Sequence, residues 1–308
     1  MEMERVTFLV ALLLVTSLNP TNLPGQDNGC TRRTVPVGVV DREWNLVQGL
    51  SAANFRGKLR GRDVEILSAS IDTSPRHIVL LLDASGSMAV SNEAWHASKS
   101  LSMDLIRFAP PRASIAQMAF SERILDTAGF DQDRVALLKR QAVIFEHLRG
   151  RGRTALYDAI SSASGAFGVL DFGDVIYAVT DAGDNKSRTE PRRVEEDLLR
   201  ARVRLFAVIT HGPPTPEEIL GPNRLRSMAE ATGGNVLSVP YGPSSGRIPL
   251  TYIKAKRMGD RIDLALHRLY EQMGEFYRLD LRLPETVDRP TKQTEDHTMG
   301  WRSTTLSS

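Results

Sequence analysis

Two runs of consecutive apolar residues, each followed directly by an aspartate, constrain the fold of this chain more than any other feature. The first run, residues 77–82, ends at Asp83, and the second, residues 175–180, ends at Asp181. Apolar residues without alternation are typical of strands that are buried on both faces, as in parallel sheets. Because ligands bind at the carboxyl ends of such strands, both aspartates are candidate site residues.

Strand-like and helix-like patterns alternate around these two runs. This alternation over residues 75–276 predicts an α/β fold, with a doubly wound, mostly parallel and Rossmann-like central sheet flanked by helices. The helices predicted from apolar spacing and capping residues are 92–108, 131–148 with Asp131 as N-cap, 154–169, 191–201, 216–232 and 256–276.

A smaller β-rich unit is predicted at the flanks of this domain. Residues 34–73 carry β-branched residues and turn signals, which predict an accessory β module too short to hold a large core alone. Residues 277–283 alternate between apolar and polar side chains, which predicts a half-exposed strand. We expect this strand to pair with the module. Residues 284–308 are polar and predict a C-terminal tail.

The N-terminal residues predict export. Residues 6–18 are almost entirely apolar and follow Arg5, which fits a secretory signal peptide over residues 1–21. This stretch is too short to span a bilayer comfortably, so we expect no membrane span in the mature chain. The expected location is periplasmic, cell-surface or extracellular. An uncleaved anchor and a misassigned start are the alternatives, because no clear cleavage site follows.

Composition excludes several classes of function. Lys and Arg number 39 against 37 Asp and Glu, and the net charge of +2 predicts no nucleic-acid partner. Cys30 is the single cysteine, which excludes a disulfide framework and a cysteine-based metal site. The 6 histidines show no ligand spacing and are interpreted as structural or solvated.

Oxygen donors are concentrated where the two apolar runs end. Asp83, Ser85 and Ser87 follow the first run, Asp181 follows the second, and Thr154 begins a predicted helix after a Gly-rich loop. If the two strands are neighbours, these donors converge at one edge of the sheet. Hard oxygen donors favour Mg²⁺, with Mn²⁺ or Ca²⁺ as alternatives, over Zn²⁺. Two carboxylates and three hydroxyls leave such an ion under-coordinated, so we expect a carboxylate from a partner protein to complete its shell.

Each donor also has a simpler explanation, because aspartate, serine and threonine commonly cap helices or form turns. A metal site is favoured only because three motifs occur together and in this order, namely residues 83–87, Thr154 and Asp181. Asp184 is expected at most to orient a water or to cap the next segment. Asn185-Lys186-Ser187 matches an N-glycosylation triplet, a pattern that often occurs by chance.

Taken together, the motif at residues 83–87, Thr154 and Asp181 resemble the von Willebrand factor type A (VWA) domain and its metal-ion-dependent adhesion site. The resemblance covers about residues 75–276. The wider layout is similar to the VWA-related proteins of acidobacteria. That narrower likeness rests on residues 50–55, 82–88 and 277–279.

The resemblance implies a role for each donor. Ser85 and Ser87 would bind the metal directly through their hydroxyls, and Thr154 directly or through water. Asp83 and Asp181 would act mostly through waters. An Asp or Glu of the ligand would complete the shell.

The sequence favours a non-enzymatic binding module over two alternatives. A metal-dependent hydrolase or phosphoryl-transfer enzyme would need a general base, and none is evident near the predicted site. Gly242-x-Ser244-x-Gly246 lacks the strand–turn–helix context of a nucleophile elbow. A VWA assembly subunit of a larger ATPase complex conflicts with predicted export. We therefore expect an exported module that captures a partner protein's carboxylate.

Overall fold

The computed structural model describes residues 32–59, 61–89, 92–150, 152–168, 171–211, 216–240 and 252–284. Its strands are Arg32–Val37 (β1), Gly57–Leu59 (β2), Arg62–Asp72 (β3), His77–Asp83 (β4), Ser114–Phe120 (β5), Ile124–Ala128 (β6), Val175–Thr180 (β7), Arg204–His211 (β8), Val236–Pro240 (β9) and Phe276–Arg282 (β10). Its helices are Asn92–Phe108 (α1), Arg134–His147 (α2), Leu156–Gly165 (α3), Pro191–Ala201 (α4), Pro216–Ala231 (α5) and Tyr252–Gly274 (α6).

Several predictions concern residues outside these ranges, namely the signal peptide at 1–21, Cys30, the motif at 242–246 and the tail from 285 onward. Within the described ranges, no helix combines the length and the apolar character that crossing a membrane requires.

A six-stranded sheet in the order β6-β5-β4-β7-β8-β9 forms the centre of the fold. Strand β4 pairs in parallel with β5 on one side and with β7 on the other. Strands β8 and β9 continue the parallel arrangement, and β6 is antiparallel at the edge. The prediction of a doubly wound, mostly parallel α/β sheet is therefore confirmed. Chain order reverses between β4 and β7, so their carboxyl ends flank the topological switch point where such sheets bind ligands.

Strand β4 is apolar without alternation because helices cover both faces of the sheet. Leu80 and Leu82 pack in one core cluster with Leu105 of α1. Leu81 packs in the other cluster, with Ile160 of α3. Residues 78–82 are completely buried. Burial on both faces thus explains the sequence pattern that predicted this strand.

A second, antiparallel sheet has the order β1-β10-β3-β2. Strand β10 lies between β1 and β3 and pairs with both along its length. Tyr277 anchors this sheet, because its hydroxyl donates to the carbonyl of Val47 at 2.9 Å and accepts from the amide of Leu50 at 3.0 Å. Its ring lies 5.3 Å from that of Phe55. The division of the chain into domains remains a prediction.

The bounds of three predicted helices were wrong by more than one residue. Helix α3 begins at Leu156 and ends at Gly165, not at 154 and 169, so Thr154 precedes the helix instead of beginning it. Helix α2 is capped by Asp133, whose side chain accepts from the amide of Ala136, and not by Asp131. Helix α6 ends at Gly274, and Phe276 begins β10 instead of closing the helix. The buried guanidinium of Arg204 donates to carbonyls in the last turn of α6 and lies 4.0 Å from the Phe276 ring centre. This contact fixes the helix end in a way that apolar spacing alone does not reveal.

Candidate metal centre

Three loops meet at the carboxyl ends of β4 and β7. The amide of Gly86, in the loop after β4, donates to the carbonyl of Gly152 at 2.9 Å. Asn185, in the loop after β7, joins the residues before α3. Its backbone N–H donates to the carbonyl of Thr154 at 3.0 Å, and its side-chain oxygen accepts from the backbone N–H of Thr154 at 3.0 Å. The structure therefore brings together the three segments that carry the predicted site residues.

Asp83 is completely buried at the end of β4. One carboxylate oxygen accepts the amide of Ser85 at 2.9 Å, and the other accepts the hydroxyl of Thr180 at 2.7 Å. Burial and then the negative charge of Asp181 raise the pKa of Asp83 to about 7, although the bonds from Ser85 and Thr180 lower it. Asp83 is thus an oriented carboxylate that repels a second carboxylate nearby.

Asp181 is that second carboxylate, and one of its oxygens has no partner. Oδ1 accepts the amide of Gly183 at 2.9 Å. Oδ2 is buried and makes no hydrogen bond with any described residue. A buried oxygen without a partner costs about 1–3 kcal/mol, and more when the group is charged. A cation between Asp83 and Asp181 would remove this cost and their mutual repulsion.

The hydroxyl donors lie in the same loops. Ser85 is completely buried and Ser87 is half-buried, and their oxygens are 3.2 Å apart. Thr154 is 3% exposed. Ser87 therefore gives the group of donors its access to solvent.

Two residues after β7 have roles that the sequence did not assign. Asp184 accepts the amide of Tyr157 at 3.1 Å and the hydroxyl of Ser187 at 2.6 Å, so it supports the first turn of α3. Asn185 holds Thr154 in place, as described above. In the apparent glycosylation triplet, the side chains of Asn185 and Ser187 thus make internal hydrogen bonds. The sequence signal that could have indicated these roles is the position of Asp184 and Asn185 shortly after Asp181.

A close helix contact also shapes the loop that carries Asp181. Ala182 has a positive φ of 65°, which a non-glycine residue rarely adopts. Gly221 of α5 packs so tightly on it that a Cβ at position 221 would lie 1.9 Å from the Ala182 carbonyl oxygen. The absence of a side chain at Gly221 therefore permits this loop conformation.

The donor set fits a hard divalent cation. Asp83, Ser85, Ser87, Thr154 and Asp181 offer oxygen only, which suits Mg²⁺, Mn²⁺ or Ca²⁺. The unpartnered Oδ2 of Asp181 beside the buried Asp83 is the structural observation in favour of an ion there. These five residues would hold the ion, which would supply positive charge and open coordination positions for an incoming oxygen ligand.

A separate group of potential metal ligands lies at the opposite ends of these strands, where β4 and β7 begin. His77 begins β4, and Asp174 directly precedes β7, with Asp171 close by. The sequence interpreted His77 as structural or solvated because no ligand follows it at short spacing. The parallel pairing of β4 with β7, not sequence distance, brings these side chains together.

The sequence matches no protein-family model and no curated protein. Solved structures with a similar fold include proximal thread matrix protein 1 of the mussel byssus, with a zinc-occupied MIDAS motif (15% identity, 70% of this chain and 50% of that chain, TM-score 0.48). Others are a von Willebrand factor type A protein from Catenulispora acidiphila (16% identity, 82% and 65%, TM-score 0.43) and BatB from Bacteroides thetaiotaomicron (15% identity, 62% and 98%, TM-score 0.41). At these identities the likeness concerns the fold alone. A VWA protein is among these solved structures.

Proposed function

We propose that this chain is an exported, metal-dependent interaction module that captures a carboxylate of a partner protein. The observation that carries the proposal is the buried, unpartnered Oδ2 of Asp181 beside the buried Asp83. Burial and the charge of Asp181 disfavour the ionised form of Asp83, and a nearby cation would favour it. Mg²⁺ is the proposed ion, with Mn²⁺ and Ca²⁺ as alternatives.

Coordination number explains why the partner would supply an oxygen anion. Mg²⁺ demands six oxygen ligands in near-ideal octahedral geometry and usually retains several waters. Even if every proposed donor bound the ion directly, only five of the six positions would be filled. Those donors are Asp83, Ser85, Ser87, Thr154 and Asp181. At least one position therefore remains for an external ligand, and a carboxylate is the strongest common oxygen ligand that a protein surface offers.

The enzyme alternative needs more than the same ion. A hydrolase would need a group placed to move a proton, and both oxygens of Asp83 already accept hydrogen bonds. Asp184, the next carboxylate after Asp181, is occupied by Tyr157 and Ser187. These contacts favour binding over catalysis.

Affinity capture from an extracellular extract tests the proposal. The wild type and Ser162→Ala are expected to retain a partner in Mg²⁺ and to release it in EDTA. Ser85→Ala is expected to retain none. Ser162 is the matched control, because it is exposed and, among the described residues, its hydroxyl donates only to the carbonyl of Asp158 within α3.

Chemical blocking of carboxylates tests whether a carboxylate is the group that the protein captures. Amidation of the extract's carboxylates with a carbodiimide and glycinamide should abolish capture by the wild type. Capture that survives EDTA, amidation and Ser85→Ala would contradict a metal-bridged carboxylate. Turnover of a phosphoester that requires Asp83 would favour the enzyme instead.

A further inference from the structure

Three metal-ligating side chains meet at the sheet edge opposite the site proposed above. The Nδ1 atom of His77 lies 3.4 Å from Oδ1 of Asp174 and 3.7 Å from Oδ2 of Asp171. The three ligand atoms all lie within 4.8 Å of one another. Strand β4 separates His77 from Asp83 by about 20 Å at ~3.3 Å per residue, so the two groups are distinct.

The two separations from the His77 nitrogen are compatible with a tetrahedral metal site. Zn²⁺ binds imidazole nitrogen and carboxylate oxygen at about 2.0–2.2 Å, and two ligands of such a tetrahedron are then roughly 3.3–3.6 Å apart. The measured separations of 3.4 and 3.7 Å lie at or close to that range. Adjacent ligands of octahedral Mg²⁺ would lie closer, at roughly 3 Å for its ~2.1 Å bonds. Ca²⁺ has longer bonds but takes oxygen ligands, so the imidazole nitrogen of His77 argues against it.

Local contacts hold the ligand atoms in this arrangement. Both oxygens of Asp174 accept backbone amides, from His77 at 3.0 Å and from Asp171 at 2.9 Å, and each oxygen keeps a second lone pair. The ring of Phe130 packs edge-on against the imidazole, 4.9 Å away. Such outer contacts orient the ligands of metal sites.

The His77 nitrogen itself is unsatisfied. Nδ1 is shielded from solvent and makes no hydrogen bond among the described residues, although two carboxylates lie within 4 Å. The side chains of His77 and Asp171 are 36% and 62% exposed, so an ion could enter from solvent. Nitrogen in the donor set distinguishes this group from the all-oxygen group at the other edge and favours Zn²⁺.

We propose that His77, Asp171 and Asp174 form a second metal site, which takes one Zn²⁺-class ion and leaves a fourth position open to solvent. Two carboxylates balance the ion's charge. The bound ion ties the start of β4 to the start of β7. This site involves none of the residues of the proposed interaction site, so either can fail without the other.

Cobalt(II) is the probe that tests this site, since tetrahedral Co²⁺ absorbs strongly in the visible range. The experiment uses the full chain carrying Asp181→Asn, which disables the first site. One equivalent of Co²⁺ is expected to give a saturable tetrahedral spectrum that Zn²⁺ abolishes. Adding His77→Gln or Asp171→Asn should remove the band. His96→Gln and Asp131→Asn change exposed residues and should leave it intact.

Two results would overturn the proposal. One is the absence of a saturable band, as expected if a protonated His77 simply pairs with the two aspartates. The other is a band that both His77→Gln and Asp171→Asn leave unchanged. Asp171→Asn keeps the test valid if His77→Gln fails to fold, because the Asp171 carboxylate accepts no hydrogen bond from the described residues.

Discussion

Binding of a divalent cation at the first site should tighten as the pH rises through 7. Asp83 must release its proton to face a cation, and its pKa is raised to about 7 by burial and by Asp181. At pH 6 roughly one molecule in eleven has lost this proton, and at pH 8 about ten in eleven. Mg²⁺ is therefore expected to bind about tenfold more tightly at pH 8 than at pH 6.

The metal-free protein should show the opposite trend in stability. The folded state holds a proton on Asp83 that the unfolded chain releases near pH 4. The stabilising contribution is complete below about pH 4 and is lost as the pH rises through about 7. A shift from 3.8 to about 7 corresponds to a loss on the order of 4 kcal/mol.

Titration calorimetry of Mg²⁺ binding at pH 6 and pH 8 directly measures how ion binding is coupled to proton release from Asp83. Buffers of different ionisation enthalpy report the protons released, which should approach one per ion at pH 6 and fall to about a tenth at pH 8. Asp83→Asn should bind more weakly and lose this pH dependence. An affinity that is flat between the two pH values, or an equal slope in Asp83→Asn, would refute the reasoning.

Three substitutions test the scaffold by urea unfolding. Gly221→Ala forces the loop at Ala182 to move, so stability should fall by about 1–3 kcal/mol and Mg²⁺ affinity should drop, whereas Gly165→Ala has open space and should be close to neutral. Leu80→Ala leaves a cavity at a completely buried position and should cost about 2–5 kcal/mol. Tyr277→Phe removes a hydroxyl with two partners and should cost about 1–3 kcal/mol. A Gly165→Ala effect as large as that of Gly221→Ala would remove the steric explanation.

The central strands could be predicted from the sequence because a strand that is buried on both faces is apolar at successive positions. This pattern can be recognised without knowing which helices pack against the strand. Residues 78–82 and 175–179 are apolar without interruption, and in the structure helices cover both sides of them. The convergence of the motif loops also followed from topology, since parallel neighbours end at the same edge. Whether the residues there bind metal remains a prediction.

Other features depend on contacts that cross the fold and leave no local pattern. The fit of Gly221 against Ala182 joins two distant elements. The grouping of His77 with Asp174 requires the register of β4 against β7. The end of α6 follows from hydrogen bonds with Arg204 on β8. Each of these is set by tertiary packing, so residue spacing along the chain could not reveal it.

Counting Mg²⁺ ions on purified full-length variants tests the central claim most directly. Equilibrium dialysis at pH 8 should find one Mg²⁺ on the wild type and on the controls Ser162→Ala and Asp131→Asn. Ser85→Ala and Asp181→Asn should lose it, because they remove a hydroxyl donor and the unpartnered carboxylate. Mg²⁺ binding by both of these variants equal to that of the wild type would contradict the assignment.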